Sequence, residues 1–284
     1  MNEHPSLRVQ VLRVHPVKSC AGVAVDDVRV VATGFAGDRE FMVVDRWGEF
    51  VSQRECPQMQ LIGAHVLGSL LTLTRPHAND LHVATEAPLA LCTVRVWDDV
   101  VSASDCGDAA AAWLSAALDM SVRLVRFSDT RPRLADARWC GGDAAPTLFS
   151  DGFPLLVTST ASITELNRRL ALRGQPAVGV ARFRPNLVLD GLEANDEDWI
   201  TELTLQADGG EIVLRMVKPC TRCGIPNVDP NSAAVGVEPG ATLATYRPDT
   251  RMGGALTFGM NAIIVSGAGR RLRVGDPGRA TLSV

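Results

Sequence analysis

The sequence predicts a mostly β chain with a few helices, an α+β fold built as two β-rich, barrel-like units. Three observations carry this. Short β-type segments crowd the chain from Leu7 to Ala103, and a second set follows from Arg182 onward. Between them lies FSDTRPRLADARWCGGDAAPTLFSDGFP, a stretch rich in Gly, Pro, Asp and Ala with little periodicity, which reads as a linker. No regular alternation of strands with helices occurs, which argues against a doubly wound dinucleotide-binding sheet. The expected division is residues 1–127 as an N-terminal β-barrel domain and 128–284 as a second β-rich domain.

In order, the first unit offers LRVQVLRVHPV, VAVDDVRVVA, REFMVVD, EFVSQRE, HVLGSLLTLTR, DLHVAT and TVRVWDDVVSA, each a short apolar or alternating run bounded by turn residues. DRWGE between two of them predicts a hairpin with Gly48 at the position that takes positive φ. The period then changes. Trp113, Leu114, Ala117 and Leu118 recur at three- and four-residue steps and predict a helix over 108–118, with Asp105 as cap and Gly107 easing the entry. A second helix is expected over 162–172, where Ile163, Leu166 and Leu170 align and Thr160 or Ser162 stands ready to cap. RFRPNLVLDG, WITELTLQ, EIVLRMVKPC, ATLATYRP and LTFGMNAIIV complete the second set of β segments.

The chain of 284 residues, with 46% hydrophobic and 21% charged residues, has the profile of a folded soluble protein with a substantial core. A net charge of −4 supplies no global basic field, so neither nucleic acid nor an anionic membrane is an expected partner, and any anion site must be local. No run of about 18 apolar residues predicts a membrane span, and the polar N-terminus does not resemble a signal peptide. The expected location is therefore cytoplasmic. Seven cysteines, an odd number, fit reduced thiols better than a disulfide framework. Cys20, Cys56, Cys92 and Cys140 read as small buried apolar residues.

The most informative stretch is MVKPCTRCGIPNVDP, with Cys220 after a proline and Cys223 three positions on. A structural zinc site wants a second cysteine pair or a histidine pair, and all five histidines lie between His4 and His82. A dithiol redox pair wants a helix N-terminus at the first cysteine, and TRCGIPNVDPNS is a poor helix former. Two buried thiols in a turn remain a plain alternative, for Cys223 above all. The last reading is one thiolate on a soft metal whose other positions are filled by a non-protein ligand. If that ligand is anionic, candidate groups to hold it are Lys18 and Ser19 in HPVKSC, Arg39 in TGFAGDRE, and RFRPN, which supplies two arginines expected on one strand face and Asn186. Each has a bland alternative: Lys18 solvated, Arg39 paired with Asp38 or Glu40.

HPVKSC, GDREFMVVD, VWDDVVSASDCGDAAAAWLSAAL, FPLLVTSTASITELN, RFRPNLVLDG, MVKPCTRC with VDP, and TYR with FGMNAIIV occur in the order of the landmarks of MOSC-domain proteins. The chain resembles, over nearly its whole length, those with an N-terminal MOSC β-barrel, namely the mitochondrial amidoxime-reducing components and the bacterial YcbX-type proteins. The resemblance implies that residues 128–284 are a cofactor-binding MOSC domain. It implies a molybdenum cofactor, Mo-molybdopterin, with Cys220 as metal ligand and catalytic residue and Cys223 outside the coordination sphere. It carries cofactor contacts onto Lys18, Ser19, Arg39, Arg184 and Asn186, and further onto Thr158, Ser159, Thr221 and Tyr246. Asp229 reads as a turn residue from its local sequence and, by the resemblance, equally as a group near the metal.

The implied activity is reduction of N-hydroxylated or N-oxide substrates by oxygen-atom removal. Because no Cys-x4-Cys-x2-Cys run is present, the electrons are expected from a separate donor: ferredoxin-like, cytochrome b5-like or a flavin reductase. The alternative from another class is a cofactor carrier or sulfuration-related module without reductase activity.

Overall fold

A computed structural model describes residues 6–85 and 90–283. Seven strands close into a barrel, in the order Leu155–Ser159, Leu187–Asp190, Ser6–Val14, Pro277–Leu282, Ile200–Ala207, Gly210–Thr221 and Ala255–Ser266, with the last pairing back onto the first. The interior is filled by the inward side of each strand, including Leu7, Val9, Leu12, Leu155, Leu187, Leu203, Leu214 and Met260. In Ser6–Val14 the buried positions run Leu7 and Val9, then Leu12 and Val14, because a bulge between Val9 and Val11 changes the parity of the pleat.

The second unit is an open half-barrel. A four-stranded sheet, ordered Phe41–Asp45, Val122–Phe127, Asp99–Asp105 and Leu91–Val96, stands with a meander of Gly63–Leu67, Leu70–Thr74 and Leu81–Ala84. Phe41–Asp45 is buried on both faces. Phe41 and Val43 pack with Met59, Ile62, Leu71 and Leu114, while Met42 and Val44 pack with Val94, Val101 and Phe149. That double burial explains why FMVVD is a continuous apolar run rather than an alternating one.

The hydrogen-bond ladders cross the division expected at residue 127. Ser6–Val14 enters the second barrel at once, pairing with Leu187–Asp190 and Pro277–Leu282. Val23–Val25 pairs with it, and Asp27–Val31 pairs with Arg271–Arg273. The chain therefore starts in the C-terminal barrel, builds the half-barrel from Phe41 to Phe127, and returns. HPVKSC and GDRE sit at the outward crossing, where Lys18 N donates to Phe41 O at 2.8 Å and Arg39 N to His15 O at 2.8 Å. The return stretch contains a short helix, Ala137–Cys140, and a two-residue ladder between Arg133–Leu134 and Pro146–Thr147.

The helix over Asp108–Leu118 forms as expected, but its cap differs: Asp105 accepts from Gly107 N at 2.8 Å and ion-pairs with Arg123, and no side chain caps the helix. The second helix runs Thr160–Leu172, one turn-half earlier than its apolar period suggested, and Ser159 rather than Thr160 or Ser162 caps it by accepting from Ser162 N at 3.1 Å. ATLATYRP holds a helical turn, Gly240–Leu243, not a strand. Among the described residues no helix is long and apolar enough to cross a membrane.

Closure of the barrel depends on Gly259. It has φ +77°, and a Cβ there would lie 2.7 Å from Val157 O, on the strand that closes the ring. Gly259→Ala is expected to lower stability by about 2–4 kcal/mol through strain and displacement of that backbone, read as a fall in the urea midpoint. An unchanged midpoint would contradict this reading.

Candidate functional site

A cavity of about 360 Å³ lies between the two units, lined from both. Cys220 reaches it through a defect in the ladder. Pro219 pairs with Met260 and Thr221 with Thr257, so the register jumps and Cys220 is passed over. Proline cannot donate to a ladder and is tolerated inside a strand at such a bulge. The thiol is thereby left half-buried at the cavity wall. Arg222 holds it: Nη1 donates to Cys220 Sγ at 3.0 Å and Nη2 to Phe183 O at 3.0 Å, with the guanidinium 5.5 Å from the Phe183 ring centroid. Phe183 itself is stacked on Phe258 at 4.1 Å.

A cation cluster lines the same cavity. Lys18 is buried; its Nζ donates to Phe149 O at 3.0 Å and pairs with the Asp151 carboxylate, whose side chain opens to solvent. Burial pulls the Lys18 ammonium below the usual lysine range, with Asp151 acting against that. Arg39 Nη1 donates to Asp38 Oδ2 at 2.5 Å and to Asn186 Oδ1 at 3.0 Å. Arg184 Nη1 donates to Cys20 O at 2.5 Å; burial, and then the Arg39 charge, lower its guanidinium to about 10. Ser19, Arg39 and Arg184 all have positive φ, at 66°, 49° and 57°. Such strain in residues other than glycine persists where surrounding structure enforces it, commonly at binding sites.

Beneath this cluster the buried Asp38 carboxylate accepts from His15 N at 2.8 Å. Burial raises the Asp38 pKa and Arg39 with His15 more than reverses it, so the group titrates below the ordinary carboxylate range. His15 is pushed well below the ordinary range for histidine, first by burial and then by the charges of Arg39 and Arg184.

Lys18, Ser19, Arg39, Arg184, Asn186, Cys220 and Thr221 thus line one cavity. Cys223 is exposed on its rim. Four expected residues are elsewhere. Thr158 and Ser159 are buried and donate to Glu197, at 3.2 Å to Oε1 and 2.9 Å to Oε2, because their strand's end and the helix start enclose that carboxylate. Burial raises the Glu197 pKa. Tyr246 packs against Leu166, Leu170 and Phe258, with the Arg169 guanidinium 3.9 Å from its ring centroid, and burial raises its hydroxyl to about 12. Asp229 accepts from Asn231 N and Ser232 N at 3.0 Å each and pairs with Arg182 at 2.9 Å, which clamps the 224–232 loop.

RFRPN also differs from expectation. Val180–Phe183 is a 3₁₀ turn rather than a strand, so Arg182 and Arg184 diverge, one to the loop and one to the cavity. The sequence reading missed Arg222, although it stands inside KPCTRC, and the loop Ser150–Phe153, which looked like linker. It also missed Phe50, Arg54 and Trp97, the half-barrel's contribution to the wall. Trp97 had a signal: a bulky aromatic in VWDDV, where a hairpin turn favours Asn or Gly.

Residues 6–121 match the model of the MOSC N-terminal beta barrel domain, and residues 145–279 match the MOSC domain. The chain belongs to the MOSC-domain family. It is 33% identical to mitochondrial amidoxime-reducing component 1 of Homo sapiens, over 94% of this chain and 80% of that protein. To mitochondrial amidoxime reducing component 2 of Bos taurus it is 30% identical, over 84% and 72%. The molybdenum cofactor sulfurase of Solanum lycopersicum is 30% identical over 88% of this chain but only 32% of the longer protein. Chain-wide, the MOSC family assignment agrees with the closed barrel and the half-barrel beside it.

The donor set fits a molybdopterin. Among the described residues no cluster of three or more His, Cys, Asp or Glu is placed to hold a metal ion, so a metal at Cys220 would need its other ligands from a cofactor. Burial first, and then the neighbouring Arg39 charge, disfavours the Arg184 cation, and a bound phosphate would offset both.

Proposed function

We propose that this MOSC protein is a molybdenum-cofactor reductase of N-hydroxylated compounds, drawing electrons from a separate donor protein. The observation that carries the reading is the convergence of one cavity-facing thiol, gripped by Arg222, with the buried cations Lys18, Arg39 and Arg184. In this reading Cys220 binds the metal as thiolate, and the cations with Ser19 and Asn186 hold the pterin phosphate. When bound, the cofactor supplies two-electron oxygen-atom chemistry.

The chain's own residues then have defined work. The Arg222 N–H directed at Sγ fixes its orientation, as a partner of a metal ligand does. Its second anchor on Phe183 O keeps the guanidinium from swinging away. For an amidoxime the balance is two electrons and two protons in, and an amidine and water out. The substrate enters neutral, and the amidine, a strong base, takes up a third proton from solvent at neutral pH and leaves as a cation, so a wall bearing Lys18, Arg39, Arg54, Arg184 and Lys218 favours product departure.

A second reading, a cofactor carrier or sulfuration module, is favoured by the tomato sulfurase, which matches across most of this chain. The experiment that separates the two supplies benzamidoxime and a chemical reductant to molybdenum-loaded protein and follows benzamidine by chromatography. Turnover supports the reductase. Loaded protein that forms no amidine supports the carrier.

A further inference from the structure

On the half-barrel side, the cavity wall contains Phe50, Arg54 and Trp97, which border the cofactor seat described above, with Lys18 Nζ 5.2 Å from the Phe50 ring centroid and 5.6 Å from that of Trp97. Trp97 and Asp98 form the two-residue loop between Leu91–Val96 and Asp99–Asp105, with Val96 paired to Asp99. Trp97 has φ +56°. Such loops favour Asn, Asp or Gly at that conformation, and a bulky aromatic there is strained. The turn gains nothing locally from tryptophan. Its indole instead lies 4.8 Å from the Phe50 ring, centroid to centroid, and is 38% exposed.

Above the same indole sits Arg54, with its guanidinium carbon 4.7 Å from the ring centroid. Its Nε makes a long contact of 3.4 Å to Ser52 Oγ, and its two Nη groups have no hydrogen-bond or ion-pair partner among the described residues. Lys18, Arg39 and Arg184 are each engaged with carboxylates or carbonyls; Arg54 is exposed, rests on the Trp97 ring, and has no carboxylate partner among the described residues. The partly exposed indole offers apolar contact to a flat ring, and a guanidinium whose Nη groups are free offers paired N–H donors to a carboxylate or phosphate.

We infer that Phe50, Trp97 and Arg54 form a substrate subsite for a planar conjugated ring that carries an anionic group. The choice of an oxime as the reacting end rests on the reductase reading; the subsite itself rests on the wall. The strained conformation at Trp97 places its indole against the Phe50 ring.

Isothermal titration of the full chain with benzamidoxime and 4-carboxybenzamidoxime tests this. The carboxylated compound is expected to bind about 10-fold more tightly. Arg54→Gln is expected to abolish that preference. Trp97→Asn suits the turn, so its melting temperature should hold or rise while affinity for both compounds falls. Equal affinities in the unaltered chain would overturn the subsite. So would a preference that survives Arg54→Gln and disappears in Lys18→Met, since the anion would then sit with Lys18. Because titration needs no turnover, the two proposals fail separately. Selective binding without amidine formation removes the reductase reading and leaves the subsite; amidine formation at equal rates and equal affinities does the reverse.

Discussion

Replacing Cys220 with serine is expected to remove molybdenum from the purified protein and to lower amidoxime reduction by roughly 100-fold or more, beyond the loss seen when only a supporting partner of a ligand is changed. The physical reason is the donor set. Sγ is the soft ligand at the cavity wall, the neighbouring ladder register leaves no alternative side chain at that position, and no metal-holding cluster exists among the described residues to take over. A hydroxyl is a hard, mostly protonated donor and a poor ligand for a soft metal. The fold should survive, since Cys220 is only half-buried and contributes little to the core. Thermal melting of Cys220→Ser close to that of the parent chain, with metal lost, separates a ligand role from a structural one.

Arg39→Met carries the largest expected stability change. Asp38 is 3% exposed, and the change leaves its carboxylate buried without its guanidinium partner while His15 stays uncharged at neutral pH. Loss of one partner from a buried pair costs about 3–5 kcal/mol. The pH dependence has a definite sign. In the parent chain the Asp38 pKa is depressed below 3.8, so its stabilisation is present above that value and is lost as pH falls through the lower folded pKa. In Arg39→Met the largest lowering influence is gone and burial is opposed by His15 alone, so the pKa rises and folding is expected to be penalised above 3.8. The gap between the two proteins is therefore widest near neutrality and closes as pH falls through and below 3.8. Urea unfolding at pH 7 and pH 3.5 measures it. A double variant, Asp38→Asn with Arg39→Met, should regain much of the loss, because the amide oxygen still accepts from His15 N.

How much of this was legible in the sequence depended on whether the cause was local. The Asp108–Leu118 helix and the DRWGE hairpin, with Gly48 at φ +83°, follow from period and turn chemistry within a few residues. The partners of Ser6–Val14 do not: they lie some 180 and 270 positions away, and an alternating strand carries no label for the barrel it joins. That is why the first strands read as part of the N-terminal unit. Arg39, Lys18 and Cys220 were legible as types of group, a cation beside a turn and a thiol after a proline. Their meeting in one cavity was not, since it is made by the chain crossing between units at His15–Glu40.

The placement of the side chains that lie away from the cavity has the same cause. Thr158, Ser159 and Tyr246 have the right chemistry for an anion site, yet tertiary contacts direct the two hydroxyls to Glu197 and the phenol ring to the helix Thr160–Leu172. Arg182 and Arg184 were assigned one face on the assumption of a strand. Arg184 instead takes φ +57° at the end of a 3₁₀ turn, and the two guanidinia part. The bulge at Cys220 was signalled only by Pro219, which forbids a regular ladder without saying which way the next side chain will turn.

The central claim is that the cavity between barrel and half-barrel holds a molybdenum cofactor through Cys220 and the Lys18, Arg39 and Arg184 cations. Elemental analysis of the protein purified from a host that makes the cofactor tests it most directly. The account predicts near-stoichiometric molybdenum in the parent chain and its loss in Cys220→Ser. Absence of molybdenum from the parent, or an undiminished content in Cys220→Ser, would contradict it.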